Sequence, residues 1–492
     1  MITPGYFMDL ADAVLGVALV APADAHADAH AERISLYLQA EHSHFIRFNH
    51  GQVRQATDVA QAHLSVSRCR DQRMASASLS LSGVMADDLA AVRETLRSLG
   101  DVLPHLPADP HLLLPDAVQS TFSDDLDGAD GTPQAAPWPD AREVVADVHA
   151  AAEGHDVVGL YAAGPIVRAF ADNRGQRNWH RATAFALDWS HVLHTDQAVK
   201  AMLAGPVQTG HGMGHGTGHG SANAWTAPGG WRDQLRPRMA RAAAQMQLLA
   251  RPSHTLPPGR YRAWLAPAAV AELLGTLAWG AFGLKEQRTG TSPFNRLVQG
   301  ERLSPLVTLS ETIAPGLAAD FTPQGFVRPG HVPLVSQGRL CGSLVSARSA
   351  REFGSAQAPL QPQQPLAPNS HLGESPEALH LAAGSLAEAD VLAQLGTGLY
   401  LSNLHYLNYS DRLACRVTGM TRYACFWVDQ GQLVAPLPVM RFDQDVIQLL
   451  GDDLIALGDH AEWQPNTETY GARNLGGIRA PGALVAGLNL TL

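Results

Sequence analysis

The chain has 492 residues, 46% of them apolar, enough for large buried cores and for two or more domains. A formal net charge of -11 argues against a nonspecific nucleic-acid binder, which needs a basic face to displace counterions, so no nucleic-acid partner is expected. No apolar run reaches the roughly 18 residues that span a bilayer. The dispersed cysteines Cys69, Cys341, Cys415 and Cys425 suit a reducing compartment, so no membrane partner and a cytoplasmic location are expected.

The apolar start, Leu10 to Ala23, is interrupted by Asp12 and preceded by no Lys or Arg, so it reads as a surface-packed helix and not as a signal peptide. Phe45-Ile-Arg-Phe-Asn-His-Gly51 reads as a strand ending in a tight turn, because Asn and Gly tolerate positive φ. Ser76, Ser78, Ser80 and Ser82 alternate with Ala75, Ala77, Leu79 and Leu81, the period of a strand with one wet face. Leu64 and Val66 fit its partner, with Asp71-Gln72 near the turn.

Leu89, Val92, Leu96, Leu99 and Val102 recur at helical spacing, and Pro104 closes that segment. Asp140 with Glu143 offers a capping box that opens a helix through Val148. Strands followed by helices, without strict alternation, favour an α+β fold. Three low-complexity inserts, Ser123 to Pro139, Gly205 to Gly230 and Ser355 to Pro376, read as mobile loops. The second is a plausible domain boundary, with a helix around Met239–Leu249 bridging the halves.

The second half opens with a strand, Arg260–Leu265, and a helix, Ala268–Phe282, and is mainly strand-like beyond Leu306. Val417 to Val428, followed by Asp429-Gln-Gly431 and Leu433 to Pro436, reads as a hairpin reversing near Gly431. Phe442 through Leu457 reads as a short closing helix. The expected architecture is α+β with an N-terminal antiparallel sheet and helices over 1–204, a Gly/His-rich insert over 205–230 and a strand-rich C-terminal domain over 231–492. A Pro/Gln-rich loop is expected at about 355–376.

His211, His215 and His219 are spaced for one helix face and could bind zinc or nickel. The glycines between them oppose a helix, so any binding there reads as adventitious, and His26 and His30 are read the same way. His191 and His194, beside Asp188 and Trp189, read as polar residues on a partly buried face. Glu272 and Glu311 read as helix-face or loop carboxylates, and Cys415 and Cys425 as core residues. Arg416, Arg422 and Arg441 could grip a peptide's terminal carboxylate, or pair with Asp411, Asp429 and Asp443. No nucleophile elbow, phosphate loop, H-E-x-x-H helix or Cys-x-x-Cys pair is present in the sequence.

Phe45 to Gln55, Gly398-Leu-Tyr400, and Thr418-Gly419 with Trp427 to Pro436 resemble the TldD/PmbA family, in order from about Arg33 to Leu457. The resemblance implies two domains paired as dimers around a cavity. It further implies, for the catalytic branch, zinc held by His-Glu-x-x-x-His and a later Cys, acting on small unfolded or modified peptides. Here Gly275, Thr276 and Gly280 stand at the three motif positions, and no cysteine follows Cys425. Gly offers no ligand, and Thr is no general base near neutral pH.

The chain is therefore similar to the PmbA/TldE-like branch that keeps the fold without the metal. The expectation is a noncatalytic subunit, with no cofactor of its own, zinc in a TldD-like partner or self-pairing as a dimer, and a peptide substrate. The alternatives are a stand-alone homodimeric peptide- or ligand-binding protein and, third, an independent hydrolase using a metal at other histidines.

Overall fold

The computed structural model describes residues 2–16, 32–124, 139–152, 154–194, 197–205, 230–313, 317–354 and 366–491. His26, His30, His211, His215 and His219 lie outside them, as do the middle of the Ser123–Pro139 insert, nearly all of Gly205–Gly230 and the first part of Ser355–Pro376. Among the described residues, no helix is long and apolar enough to cross a membrane.

The N-terminal half is a seven-stranded sheet. Its strands are β1 (Arg33–Asn49), β2 (Gln52–Arg70), β3 (Arg73–Ser80), β4 (Phe122–Asp124), β5 (Val157–Asp172), β6 (Arg177–His194) and β7 (Gln197–Gly205). They run in the order β3-β2-β1-β5-β6-β4, with β7 also paired to β6. The β1–β2 and β2–β3 reversals use His50, Gly51, Asp71 and Gln72, all at positive φ, as the Asn-His-Gly and Asp-Gln steps predict. The serine alternation is realised as cross-strand hydroxyl pairs, Ser65–Ser78 at 2.9 Å and Ser67–Ser76 at 2.8 Å, while Leu64 and Val66 point into the core.

Four helices serve this half: α1 (Pro4–Leu15), α2 (Met85–Val102), α3 (Ala141–Ala151) and α4 (Gly230–Leu249). Thr3 caps α1, which buries Phe7, Leu10 and Ala11. The α2 stripe buries Val92, Leu96 and Leu99. Asp140 caps α3 through the Arg142 N–H at 2.8 Å, while Glu143 faces Arg232 at 3.9 Å. Helix α4 bridges the halves: Trp231, Leu235 and Met239 join the N-terminal core, and Ala242 and Leu249 pack with Ala424 and Phe426.

The C-terminal half is a thirteen-stranded sheet with both parallel and antiparallel pairs. Its strands are β8 (Gly259–Leu265), β9 (Leu309–Thr312), β10 (His331–Ser336), β11 (Arg339–Leu340), β12 (Ala378–Leu381), β13 (Gly398–Leu401) and β14 (Asn403–Asp411), then β15 (Arg416–Arg422), β16 (Phe426–Asp429), β17 (Gln432–Pro436), β18 (Arg441–Asp445), β19 (Leu454–Pro465) and β20 (Gly477–Leu490). Strand β20 is central, pairing with β8, β12, β18 and β19. The two sheets, with helices on their faces, make the expected α+β fold with a strand-rich C-terminal half.

Several local expectations are corrected. The helix after Leu-Ala-Pro, α5 (Pro267–Leu277), stops five residues before Phe282, because Gly280 turns to a φ of 89°. Val417 to Val428 is not one strand. Tyr423 at a φ of 67° breaks it, so β15 joins β14 and β18 while β16 and β17 form the hairpin around Gln430-Gly431. The closing helix shrinks to Val446–Leu450. Asp445 starts it by accepting from the Ile447 and Gln448 N–H groups, and two strands follow it.

The insert edges also belong to the fold. Asp124 accepts from Trp179 Nε1 at 3.1 Å and Arg181 Nε at 2.6 Å. Glu374 is buried and accepts from the Lys285 and Ser346 N–H groups, each at 2.8 Å. Glu311 is neither a helix-face nor a loop residue but lies on β9, fully buried, 3.2 Å from Arg328. His191 is likewise fully buried, with neither ring nitrogen bonded. Burial, and then the neighbouring His155, push its pKa down to about 4, so it is neutral in the fold.

One side chain fastens the second half to the first. Arg473, between β19 and β20, is buried and donates to Ser43 Oγ at 3.1 Å, Gly164 O at 3.2 Å and Ala184 O at 2.8 Å. Its own N–H donates to the buried Glu41 carboxylate at 3.3 Å. Gly164, at a φ of 137° beside the His42 carbonyl, has no room for a Cβ where this joint forms. Arg473→Ala keeps the backbone bond to Glu41 but leaves Ser43 and the two carbonyls without their donor and Glu41 without its neighbouring positive charge, and is expected to cost about 3 kcal/mol. Urea unfolding monitored by intrinsic fluorescence measures the loss; a change within about 0.5 kcal/mol would refute the joint.

Candidate functional site

Between the two sheets lies a cleft of about 1820 Å³. The first half contributes β7, through Val199, Lys200 and Ala201, together with α4. The second half contributes α5, β12, β13, β19 and the start of β20. A smaller cavity of about 440 Å³ adjoins it and shares Lys200. The larger volume exceeds the roughly 300–1,000 Å³ of small-molecule sites and has room for a peptide-sized ligand, while the smaller falls within that range.

Helix α5 is placed by its sequence. Pro267 at its first turn has no N–H to lose, and Ala269, Val270, Leu273, Leu274 and Leu277 bury one face in the C-terminal core. The other face, with Ala268, Ala271, Glu272 and Gly275, lines the cleft.

The three motif positions do not share that face. Gly275 lies on the cleft, where a Cβ would stand 3.6 Å from Ile478 Cδ1. Thr276 is buried, its hydroxyl bonded back to the Glu272 carbonyl at 3.2 Å and its own carbonyl taken by the Tyr409 hydroxyl at 2.9 Å. Gly280 lies past the end of α5, where a Cβ would collide with the Arg412 guanidinium. Among the described residues, no three His, Cys, Asp or Glu side chains come together as a possible metal site. The donors present on this segment therefore do not fit zinc.

What the cleft holds near Gly275 is a small charged group. Lys200 on β7 sits 3.2 Å from Asp188 on β6. Glu272, one turn before Gly275, accepts from the Leu404 N–H and from Asn403 Nδ2 at 3.4 Å. Burial pushes its carboxyl up to about 7, against the pull of those donors and of Lys200, with Asp188 adding to the rise. Burial also raises Asp188; on Lys200 burial is the largest single influence and pulls down, but Asp188, Tyr423 and Glu272 together hold it up. At neutral pH a Lys200–Asp188 ion pair thus faces a carboxyl close to its midpoint. Sequence spacing carries no sign of this group, because residues 188, 200 and 272 meet only through the fold.

The arginines singled out in the sequence stand elsewhere, and none lines the cleft. Arg416 pairs with Asp443 at 2.5 Å, the alternative already open from sequence. Arg422 lies over the Tyr423 ring at 5.2 Å. Arg441 Nε donates to Thr418 Oγ1 at 3.2 Å. Cys415 and Cys425 are buried and unbridged.

Residues 258–492 match the family model described as the PmbA/TldA metallopeptidase C-terminal domain. No curated protein matches the chain in sequence. Among solved structures, TldE from Thermococcus kodakarensis aligns with a TM-score of 0.68 at 12% identity, over 94% of this chain and 97% of that one. A candidate modulator of DNA gyrase from Thermotoga maritima aligns with a TM-score of 0.67 at 13% identity, over 94% and 96%. Another, from Bacteroides thetaiotaomicron, aligns with 0.63 at 15% identity over the full length of both. At such identities the likeness is one of fold.

Because the Glu272 carboxyl sits above its unfolded value of 4.5, it favours the folded state fully below that pH, and the contribution is lost as pH rises through about 7. Glu272→Gln keeps an acceptor for Leu404 but cannot ionise. The variant is expected to lose less thermal stability than the native chain between about pH 5 and 8. Melting temperatures across that range check it, and parallel profiles would remove Glu272 from the account.

Proposed function

We propose that this chain, which belongs to the TldD/PmbA family, is the noncatalytic, PmbA/TldE-like subunit of a cytoplasmic metallopeptidase acting on small unfolded or modified peptides. The observation that carries this reading is the state of α5. A cleft large enough for a peptide runs along it, yet the motif positions offer a bare Gly275, a Thr276 hydroxyl already bonded to its own helix, and a Gly280 off the helix end. The fold and its cleft are kept where the ligands for zinc are not.

On this reading the chain binds and orients peptide, while a TldD-like homologue supplies zinc and the carboxylate that activates water. The residues of this chain then contribute shape and hydrogen bonding. Lys200 with Asp188 presents a fixed dipole to the cleft, and Glu272 can donate or accept according to its proton. Free cysteines at 69, 341, 415 and 425 support a reducing, cytoplasmic setting.

The chain alone is expected to hydrolyse no peptide, with or without added zinc. Mixed with a homologue bearing His-Glu-x-x-x-His, it should raise the rate on an unfolded peptide well above that of the homologue alone. Peptidase activity of the purified chain with stoichiometric zinc, retained after deletion of residues 205–230, would overturn the reading. Recovery only as a homodimer that binds peptide would instead favour the stand-alone binding protein.

A further inference from the structure

A row of polar side chains runs across the C-terminal sheet and ends at the cleft in two groups, Arg479 and His380. Arg479 on β20 stands opposite His380 on β12 in a parallel pair, and His380 stands opposite Ser310 on β9. Facing residues on adjacent strands point to the same side, about 4.8 Å apart. Two residues on, Thr312 faces His331 of β10. The far end of the row is tied together, Ser310 Oγ to Thr312 Oγ1 at 3.1 Å and Thr312 Oγ1 to His331 Nδ1 at 3.2 Å. The cleft end is not: among the described residues, neither the Arg479 guanidinium nor the His380 ring has a hydrogen-bond or ion-pair partner.

The environment makes this unusual. Arg479 is only partly exposed, and burial pulls its pKa below the usual guanidinium value with no carboxylate to offset it. His380 is lowered by burial, then by Arg479 and by His331, again with no carboxylate to offset it. A half-buried guanidinium normally has an anion against it, because its loss of hydration is otherwise uncompensated. Trp463, opposite Arg479 on β19, walls the other side. Both Arg479 and His380 open onto the cleft, whereas Ile478, which Gly275 approaches, points to the other face of the strand.

We propose that Arg479 and His380 form the carboxylate-binding end of the cleft, taking the anionic group of a peptide that lies in it. This rests on the peptide-binding reading above. A guanidinium fork and an imidazole N–H match the two oxygens of a carboxylate, and a planar bidentate contact favours Arg over Lys. The carboxylate can be a C-terminus or an Asp or Glu side chain; the chemistry of recognition is shared.

The test is fluorescence anisotropy on the full chain with three N-terminally labelled decapeptides. One is neutral with a free C-terminus, the second is its C-terminal amide, and the third is an amide carrying one internal Glu. Binding of the first or third about tenfold or more tighter than the second is expected, and which of them it is assigns the source of the carboxylate. Arg479→Gln should bring the preferred peptide down to the affinity of the neutral amide and leave the amide itself unchanged, and Arg479→Lys should restore the preference only in part. His380→Gln, a milder change, should lower the preference several-fold, which keeps the result interpretable if Arg479→Gln folds poorly. Equal binding of all three, or a preference surviving both Gln variants, would overturn the assignment and leave the peptide-binding reading standing. Binding of none would overturn both.

Discussion

Taking a guanidinium out of water costs several kcal/mol unless its donors are matched, and the relation between the two halves is organised around one that is. Arg473 reaches from the segment between β19 and β20 into the first sheet, where β1, β5 and β6 present Ser43, Gly164 and Ala184 to it. Burial draws its pKa to about 10, with Glu41 pulling the other way, so it remains charged. Glu41 is held by Ser43 at 2.6 Å and by Gln61, whose amide also donates to Gly471 O at 2.7 Å. Few other arrangements satisfy so many polar groups at once, so the segment entering β20 is fixed against the first sheet.

The cleft follows from that constraint. With the start of β20 fixed, Ile478 and Arg479 line one wall, and α5 packs across the same strand to form the next. Helix α4 closes a third side, because its first half is buried in one core and its second half in another. The ionisable groups at the interface are consequently half-buried. Burial raises Glu272 and Asp188, whereas Arg328 holds Glu377 down against burial; among the described residues Lys200 has an acidic partner and Arg479 has none. On the proposed reading such a site recognises peptide by charge and hydrogen bonding while a partner supplies the reaction.

Local physics was legible in the sequence and long-range pairing was not. The serine alternation predicted β3, and the Asn-His-Gly and Asp-Gln steps predicted the turns, because each depends on neighbours in the chain. The α2 stripe did so for the same reason. The α5 end was overestimated because an apolar run continues past Leu277, whereas the turn is set by the backbone at Gly280. The strand break at Tyr423 lies within a run of strand-forming residues, and only its pairing with two different neighbours reveals it. The candidate arginines of the C-terminal region drew notice by their apolar, aromatic surroundings in sequence, yet the cations that reach the cleft, Lys200 and Arg479 among them, lie far apart and carry no local signature.

The two motif glycines also differ in how firmly the present state is built in. Gly275 has ordinary helical backbone, and a Cβ there would make only van der Waals contact with Ile478, so the fold does not require glycine at that position. Gly280 does require it. At a φ of 89°, any other residue is strained by roughly 1–2 kcal/mol, and its side chain would run into Arg412 and Glu286 instead of the cleft. A histidine at 275 would face the cleft, while a histidine at 280 would face away from it. The change at 276 is set by burial, since Thr276 has its hydroxyl satisfied by the helix, and an ionised Glu would leave a charge inside the C-terminal core. Restoring the motif residue by residue would therefore not assemble a metal site, because the backbone here does not present the three positions on one face. That is a property of the helix end, and on the proposed reading what stands on the cleft face is a surface for binding.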